Sequence, residues 1–212
     1  MFGKVSKMTG PNEALKGRDE PIFLGARHRV FGTELFGPFD PNLEIAVLGM
    51  GCFWGAERIF WQLNGVVSTS VGYSGGFTPN PTYEEVCSGR TGHGEVARIV
   101  YDPKIISYDE VLSSFFENHD PTQSMRQGND VGSQYRSMVL ASTDAQYSIA
   151  NRAKEAYGKE LQERSRGLIR TEVGRLGQYY YGEAYHQQYL YANPNGYCNH
   201  GFNGVSCTIS WR

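Results

Sequence analysis

Ile45-Ala46-Val47-Leu48-Gly49-Met50-Gly51-Cys52-Phe53-Trp54-Gly55 places a short apolar run directly before a helical pattern. Ile45 to Leu48 read as a buried strand, glycine interrupts it, and Ala56, Ile59, Phe60 and Leu63 then repeat with a helix period. Cys52 is therefore expected at a helix N-terminus, where unpaired N–H groups and the positive dipole end favour a thiolate, the nucleophilic form of the side chain. Phe53 and Trp54 act in the opposite sense, because apolar neighbours desolvate the sulfur and raise its pKa. A lone cysteine in such a setting more often packs as a small hydrophobe. The case for a nucleophile rests on what accompanies it.

The chain of 212 residues is 40% hydrophobic and 20% charged, with a formal charge of -2. That fits one domain with a substantial core and gives neither nucleic acid nor an anionic membrane an electrostatic reason to bind. Glycine at 26 residues and aromatics at 13% point to irregular backbone lined with rings, as clefts are often built. No stretch approaches the ~20 apolar residues of a membrane span. The opening Met1-Phe2-Gly3-Lys4-Val5-Ser6-Lys7 lacks the apolar segment of a secretory signal. A cytoplasmic protein is expected, with a mitochondrial form left open. In that setting Cys52, Cys87, Cys198 and Cys207 should be reduced or catalytically cycling rather than locked in structural bridges.

Residues 1–43 carry Pro11, Pro21, Pro38 and Pro41 with little periodicity and are expected to form an extended arm packed on the domain. Residues 44–193 alternate short strands and helices, with strand candidates at 66–73, 96–101, 135–141 and 168–173. Asn80-Pro81 suggests the cap and first residue of a helix through Val86, Ser107 with Glu110 a capping box, and Thr143 with Gln146 another. A polar segment from Asp144 to about Arg164 with one apolar stripe reads as a surface helix, and a last helix is expected over 185–190. Residues 194–212, glycine-rich, are expected to be a mobile tail.

That tail holds Cys198 and Cys207, and a flexible thiol can reach a sulfur oxidised elsewhere. A Cys198–Cys207 staple is the structural alternative. A zinc site of Cys198, His200 and Cys207 lacks a C-x-x-C pair and a fourth ligand. Cys87 reads as buried and inert. Glu95, in Thr91-Gly92-His93-Gly94-Glu95-Val96, stands at a strand entry, where an apolar cleft would keep it protonated and able to donate to a substrate oxygen; a solvated strand-edge glutamate is the plainer alternative. The polar loop from Gln127 to Ser137 can position a carboxylate, an amide and a phenol around a ligand. His93, His119 and His186 could each serve Cys52 as a base, though nothing in the sequence brings them near it.

Gly51-Cys52-Phe53-Trp54-Gly55, Gly72-Tyr73-Ser74-Gly75-Gly76, Pro79-Asn80-Pro81-Thr82-Tyr83, Gly92-His93-Gly94-Glu95, Asn118-His119-Asp120-Pro121, Gln134-Tyr135-Arg136-Ser137 and His186-Gln187-Gln188-Tyr189-Leu190 together closely resemble the A-type peptide methionine-S-sulfoxide reductases. The resemblance runs in order from about residue 44 to Cys207. It implies an α+β fold, a single domain around a mixed β-sheet with flanking helices, which the strand candidates alone do not distinguish from a doubly wound sheet. It implies that Cys52 attacks the sulfoxide sulfur, that Glu95, Tyr83 and Tyr135 bind and protonate the oxygen, that Phe53 and Trp54 enclose the methyl group, and that Asp130 contacts the substrate main chain. Cys52 would be left as a sulfenic acid, Cys198 would resolve it, and Cys207 would pass the disulfide to thioredoxin. No bound cofactor or metal is implied: electrons come from thioredoxin, or from a dithiol such as DTT, and the partners are oxidised proteins or peptides. A monomer is expected. The tail departs from the family in carrying Asn199, His200, Phe202 and Asn203 between its cysteines. Two other readings stand beside this one: a thiol hydrolase or acyltransferase using Cys52 and His186, which leaves the tail cysteines without a task, and a redox-sensing binding module, which gives no reason for an acid and two phenols near a thiol.

Overall fold

The structure is a computed structural model, described over residues 7–23 and 25–207; the expectations for the ends of the arm and tail lie outside these residues. In chain order the elements are β1 (Glu44–Gly49), α1 (Phe53–Trp61), β2 (Val66–Ser74), α2 (Tyr83–Cys87), β3 (Gly94–Tyr101), α3 (Tyr108–Glu117), β4 (Arg126–Gln127), β5 (Asp130–Val131), β6 (Met138–Ala141), α4 (Asp144–Glu163), β7 (Glu172–Arg175), β8 (Tyr179–Tyr181) and α5 (Tyr189–Ala192). Six strands form one sheet in the order β7-β6-β1-β3-β2-β8, and β4 and β5 form a separate hairpin. Neighbours pair antiparallel except β6 and β7. That parallel pair needs a long crossover, which α4 supplies. One parallel pair in an otherwise antiparallel sheet makes the fold α+β with a mixed sheet.

Strand alternation divides the core. Ala46 and Leu48 of β1, Ala97, Ile99 and Tyr101 of β3, and Val139 of β6 face α1, α3 and α4, where Phe60, Leu112, Phe115, Phe116, Ala153, Tyr157 and Leu161 meet them. Val47, Val96, Met138 and Leu140 point to the other face. This is the period-2 pattern of a strand applied to a sheet buried on both sides. Thr143 accepts from Gln146 N–H, and Ser107 forms a reciprocal capping box with Glu110, both at the expected starts.

Elsewhere the local structure differs from expectation. Thr82, not Asn80-Pro81, caps α2, through a capping box with Glu85; Asn80 instead holds the arm, its side chain donating to the carbonyls of Arg18 and Asp19. Residues 133–135 form a single 3-10 turn before β6. The last helix is shifted to Tyr189–Ala192 because Gln188 takes a left-handed conformation, and its backbone N–H and side chain both bond the buried Glu57. The arm is pinned by a forked Arg18–Glu85 pair and by His28 against Thr69.

In the structure the tail lies against the domain through Cys207. Asn203 donates to the carbonyls of Phe116 and His119 at the end of α3, and Val205 and Cys207 are buried in the helical core. Those donations satisfy carbonyls that a helix end leaves unpaired. Arg136 (3% exposed) is a second anchor, donating to the carbonyls of Ser133, Gly75 and Gly92 while pairing with Glu172. Replacing Arg136 by Met should cost roughly 3–5 kcal/mol, because buried carbonyls lose their donor; urea unfolding measures it. Among the described residues no helix is long and apolar enough to cross a membrane.

Candidate active site

The turn after β1 delivers Cys52 to the N-cap of α1. Gly51 makes it at a φ of 100°, in the region glycine tolerates, and a side chain there would strike Gln127. Cys52 is 7% exposed. Burial pushes its thiol far above the ordinary range, the charge of Glu95 adds to the rise, and so does Asp130; the Trp54 and Gly55 N–H groups oppose it without closing a cap hydrogen bond. The two opposed influences read from the sequence are thus both present, and desolvation dominates.

Glu95 enters on β3 and is 1% exposed. Its Oε2 accepts the Phe53 N–H at 3.0 Å, next to Cys52, and its Oε1 is buried with no hydrogen-bond partner. Burial lifts its pKa to about 8, against the Phe53 donor and with help from the charges of Asp130 and Glu183. A buried carboxyl with one oxygen tethered and the other unpaired, protonated at neutral pH, is a proton donor awaiting an acceptor. The phenols of Tyr83 and Tyr135 are both held far above the usual range by burial and then by Glu95. Both are therefore hydrogen-bond donors beside the same carboxyl.

The rings are fixed in turn. Phe53 (1% exposed) packs among Tyr73, Tyr83 and His186, while the half-buried Trp54 stacks on Tyr189 at 4.0 Å and donates its indole N–H to His186 Nδ1 at 3.0 Å. Glu183, which the sequence did not single out, accepts from the Tyr73 hydroxyl and the Tyr83 N–H, tying β2 to the start of α2.

The three histidines weighed as bases have structural partners. His186 is bound to Trp54 through Nδ1, and burial lowers its pKa to about 4. His93 accepts from Gly76 N–H and bonds the Thr78 carbonyl; His119 bonds the Phe115 carbonyl and Ser137. The hydrolase arrangement, in which His186 would bond Cys52, is not formed.

Asp130, in the hairpin of β4 and β5, is engaged by the tail: Tyr197 Oη donates at 3.1 Å and Asn199 Nδ2 at 2.9 Å. Cys198 between them lies against α1, where a side chain at Gly55 would collide with its Sγ. Cys207 is elsewhere. Its backbone N–H bonds Glu117, and burial pushes its thiol up to about 12, with Ser113 bonding the sulfur. The structure thus groups Cys52, Glu95, Tyr83, Tyr135 and Asp130, sets Cys198 at their edge, and keeps Cys207 in the core beside α3. Cys87, half-buried at the end of α2, faces Tyr83. All four cysteines are free thiols. Among the described residues no cluster of His, Cys, Asp or Glu could hold a metal ion.

Residues 44–208 match the family model described as peptide methionine sulfoxide reductase. The chain is 55% identical to the peptide methionine sulfoxide reductase MsrA of Salinispora arenicola, over 96% of this chain and 94% of that one. Among solved structures it is similar to methionine sulfoxide reductase A of Corynebacterium diphtheriae, with a TM-score of 0.86 and 45% identity over 95% of this chain and 98% of that one. It is also similar to Mxr1 from Saccharomyces cerevisiae in complex with Trx2, with a TM-score of 0.52 and 27% identity over 78% of this chain and 94% of that one. Taken with the thiol, the acid and the two phenols gathered at the start of α1, these matches place the chain in the peptide methionine sulfoxide reductase family.

Proposed function

We propose that the protein reduces the S-epimer of methionine sulfoxide, free or in a peptide, to methionine, with Cys52 taking up the oxygen as a sulfenic acid. The observation that carries this reading is Glu95: one oxygen tied to the amide next to Cys52, the other buried and unpaired, on a carboxyl that burial keeps protonated. A sulfoxide oxygen supplies the missing acceptor. Tyr83 and Tyr135 donate to the same oxygen, which strengthens as negative charge builds on it. Cys52 sulfur attacks the sulfoxide sulfur, the S–O bond breaks, and the oxygen ends on Cys52. The substrate sulfur gains two electrons and the cysteine sulfur loses two. Glu95 gives its proton to the oxygen and recovers one from the thiol, so the site returns to its starting protonation.

Epimer choice follows from three fixed directions. Cys52 takes the sulfur, Glu95 with the phenols takes the oxygen, and Phe53 and Trp54 enclose the methyl, with Trp54 as the accessible wall held by His186 and Tyr189. The mirror epimer would place its methyl among the donors and leave buried polar groups unpaired. Asp130 receives the substrate main chain once Tyr197 and Asn199 withdraw. The natural assay is reduced protein with separate S- and R-sulfoxide peptides and a dithiol. Turnover of S alone is expected; turnover of R, or of neither, overturns the reading.

For recycling, Cys198 attacks the sulfenic sulfur, releasing water and forming a disulfide with Cys52. Cys207 leaves its seat beside α3, exchanges into that bond, and presents a Cys198–Cys207 disulfide to thioredoxin. No bound cofactor is needed, and a reducing compartment such as the cytoplasm suits the free thiols. The likeness to Mxr1 in complex with Trx2 supports a thioredoxin as partner. Replacing both Cys198 and Cys207 by Ala should reduce thioredoxin-driven product to about one equivalent per enzyme, seen as a burst without turnover. Full turnover by that variant would favour a hydrolase instead.

A further inference from the structure

His200 follows Cys198 by two residues, and neither the fold nor the proposed chemistry has so far used it. Its Nε2 bonds the Met50 carbonyl at 2.6 Å. A carbonyl only accepts, so the ring proton is on Nε2 and Nδ1 carries the lone pair. Although the residue as a whole is half-buried, Nδ1 is closed off from solvent and has no hydrogen-bond partner. An orphaned buried acceptor calls for an explanation. Its neighbour supplies one: a side chain at Gly55 would collide with both His200 Nδ1 and Cys198 Sγ, so the two atoms rest together on the same residue of α1. The Gly55 N–H is also one of the two groups that favour the thiolate of Cys52.

We propose that His200 Nδ1 is the base that takes the proton of Cys198 as Cys198 attacks the sulfenic acid of Cys52. This rests on the proposed function, since the sulfenic acid must first form. In the step the Cys198 S–H bond breaks and its proton passes to Nδ1. The Cys198–Cys52 S–S bond forms with the electron pair released, the Cys52 S–O bond breaks, and the departing hydroxide takes the proton from Nδ1 to leave as water. Cys198 is oxidised and the sulfenic sulfur reduced, so no further reagent is needed. The Met50 carbonyl, accepting from Nε2, stabilises the transient imidazolium as it stabilises the tautomer. The resting ring is neutral: burial, first of all, lowers its pKa to about 4 against the Met50 carbonyl, the charge of Arg58 on α1 lowers it further, and His119 faces it from the end of α3.

The test separates the second step from the first. Reduced enzyme is mixed with one equivalent of an S-sulfoxide peptide without reductant, and methionine, sulfenic acid trapped by dimedone, and Cys52–Cys198 disulfide are followed together. His200→Gln keeps an N–H for Met50 and removes the base. Sulfenic acid should accumulate after the methionine burst, with disulfide formation slowed on the order of 100-fold, and added imidazole should accelerate closure in His200→Ala. Closure at the parent rate in His200→Gln, or no response to imidazole in His200→Ala, would overturn the assignment and leave His200 as a clamp on the tail. A parent enzyme that releases methionine without a trappable sulfenic acid or disulfide would remove the underlying reading instead.

Discussion

Cys52→Ser should abolish sulfoxide reduction while leaving the fold as stable as before or slightly more so. The loss should be on the order of a millionfold, as when a covalent nucleophile is removed. Two separate reasons converge. A serine hydroxyl in a site that already suppresses ionisation of a thiol is a far weaker nucleophile, because burial and the charge of Glu95 act on it as well. More decisively, oxygen removal requires the attacking atom to be oxidised: sulfur becomes a sulfenic acid, whereas a serine oxygen would have to form an O–O bond. Misfolding is not available as an excuse for the loss. Cys52 stands at the N-cap of α1 and closes no cap hydrogen bond, and serine is among the preferred residues there, so it can bond an amide of the first turn and add up to about 1 kcal/mol. The checks are methionine release measured by chromatography and a thermal melt on the same samples. Measurable turnover by a correctly folded Cys52→Ser protein would refute nucleophilic attack by this residue.

The parts of the structure that local chemistry controls were legible in the sequence. Ile45 to Leu48 became the centre of the sheet, flanked by β6 and β3, because four apolar residues ending at glycine leave few other options. The caps at Ser107 and Thr143 were readable for the same reason, since an N-cap and the residue three later interact directly. Asn80-Pro81 misled because the signal of Thr82 with Glu85 lay immediately behind it. β8, Tyr179–Tyr181, carries three aromatics with no alternation, so no period identified it. The contacts of the tail were the least legible: Asn203 finds carbonyls of Phe116 and His119 more than 80 positions away, and no local pattern encodes such a partner. The site divides along the same line. Cys52 could be placed at a helix start from its neighbours alone, whereas Glu95 reaches the Phe53 amide across 42 positions, and only the resemblance to a family connected them. Glu183 gave no local signal, because its partners, the Tyr73 hydroxyl and the Tyr83 N–H, lie 100 or more positions away; His200 stood in the sequence only as a zinc candidate, because the Met50 carbonyl that fixes its ring is 150 positions away.

Glu95→Gln should slow the first turnover by about 10²–10³-fold rather than abolish it. The amide can still donate a hydrogen bond to the sulfoxide oxygen but has no proton to transfer, so polarisation survives and acid catalysis does not. The pH dependence gives the sharper result. Burial, first of all, holds the native carboxyl near a pKa of about 8, and the protonated form is the active one, so the parent's first-turnover rate should be flat below neutrality and fall as pH rises through about 8. In Glu95→Gln that fall should vanish, and Cys52 should alkylate at lower pH than in the parent, because a charge that raises its pKa has been removed. Stability should change in a matching sense. A group whose folded pKa exceeds its unfolded value, here about 8 against 4.5, binds more protons in the folded state, so its contribution is complete below pH 4.5 and is lost as pH rises toward 8. Glu57, raised to about 7 chiefly by burial, titrates in the same direction, so the variant should flatten the stability profile only in part. Denaturant midpoints for the two proteins at pH 5 and pH 8.5 measure that share. A variant equally slow at both pH values in its first turnover, and less destabilised than the parent at pH 8.5, assigns proton donation to Glu95; one that keeps the parent's alkaline fall places the essential acid on another group.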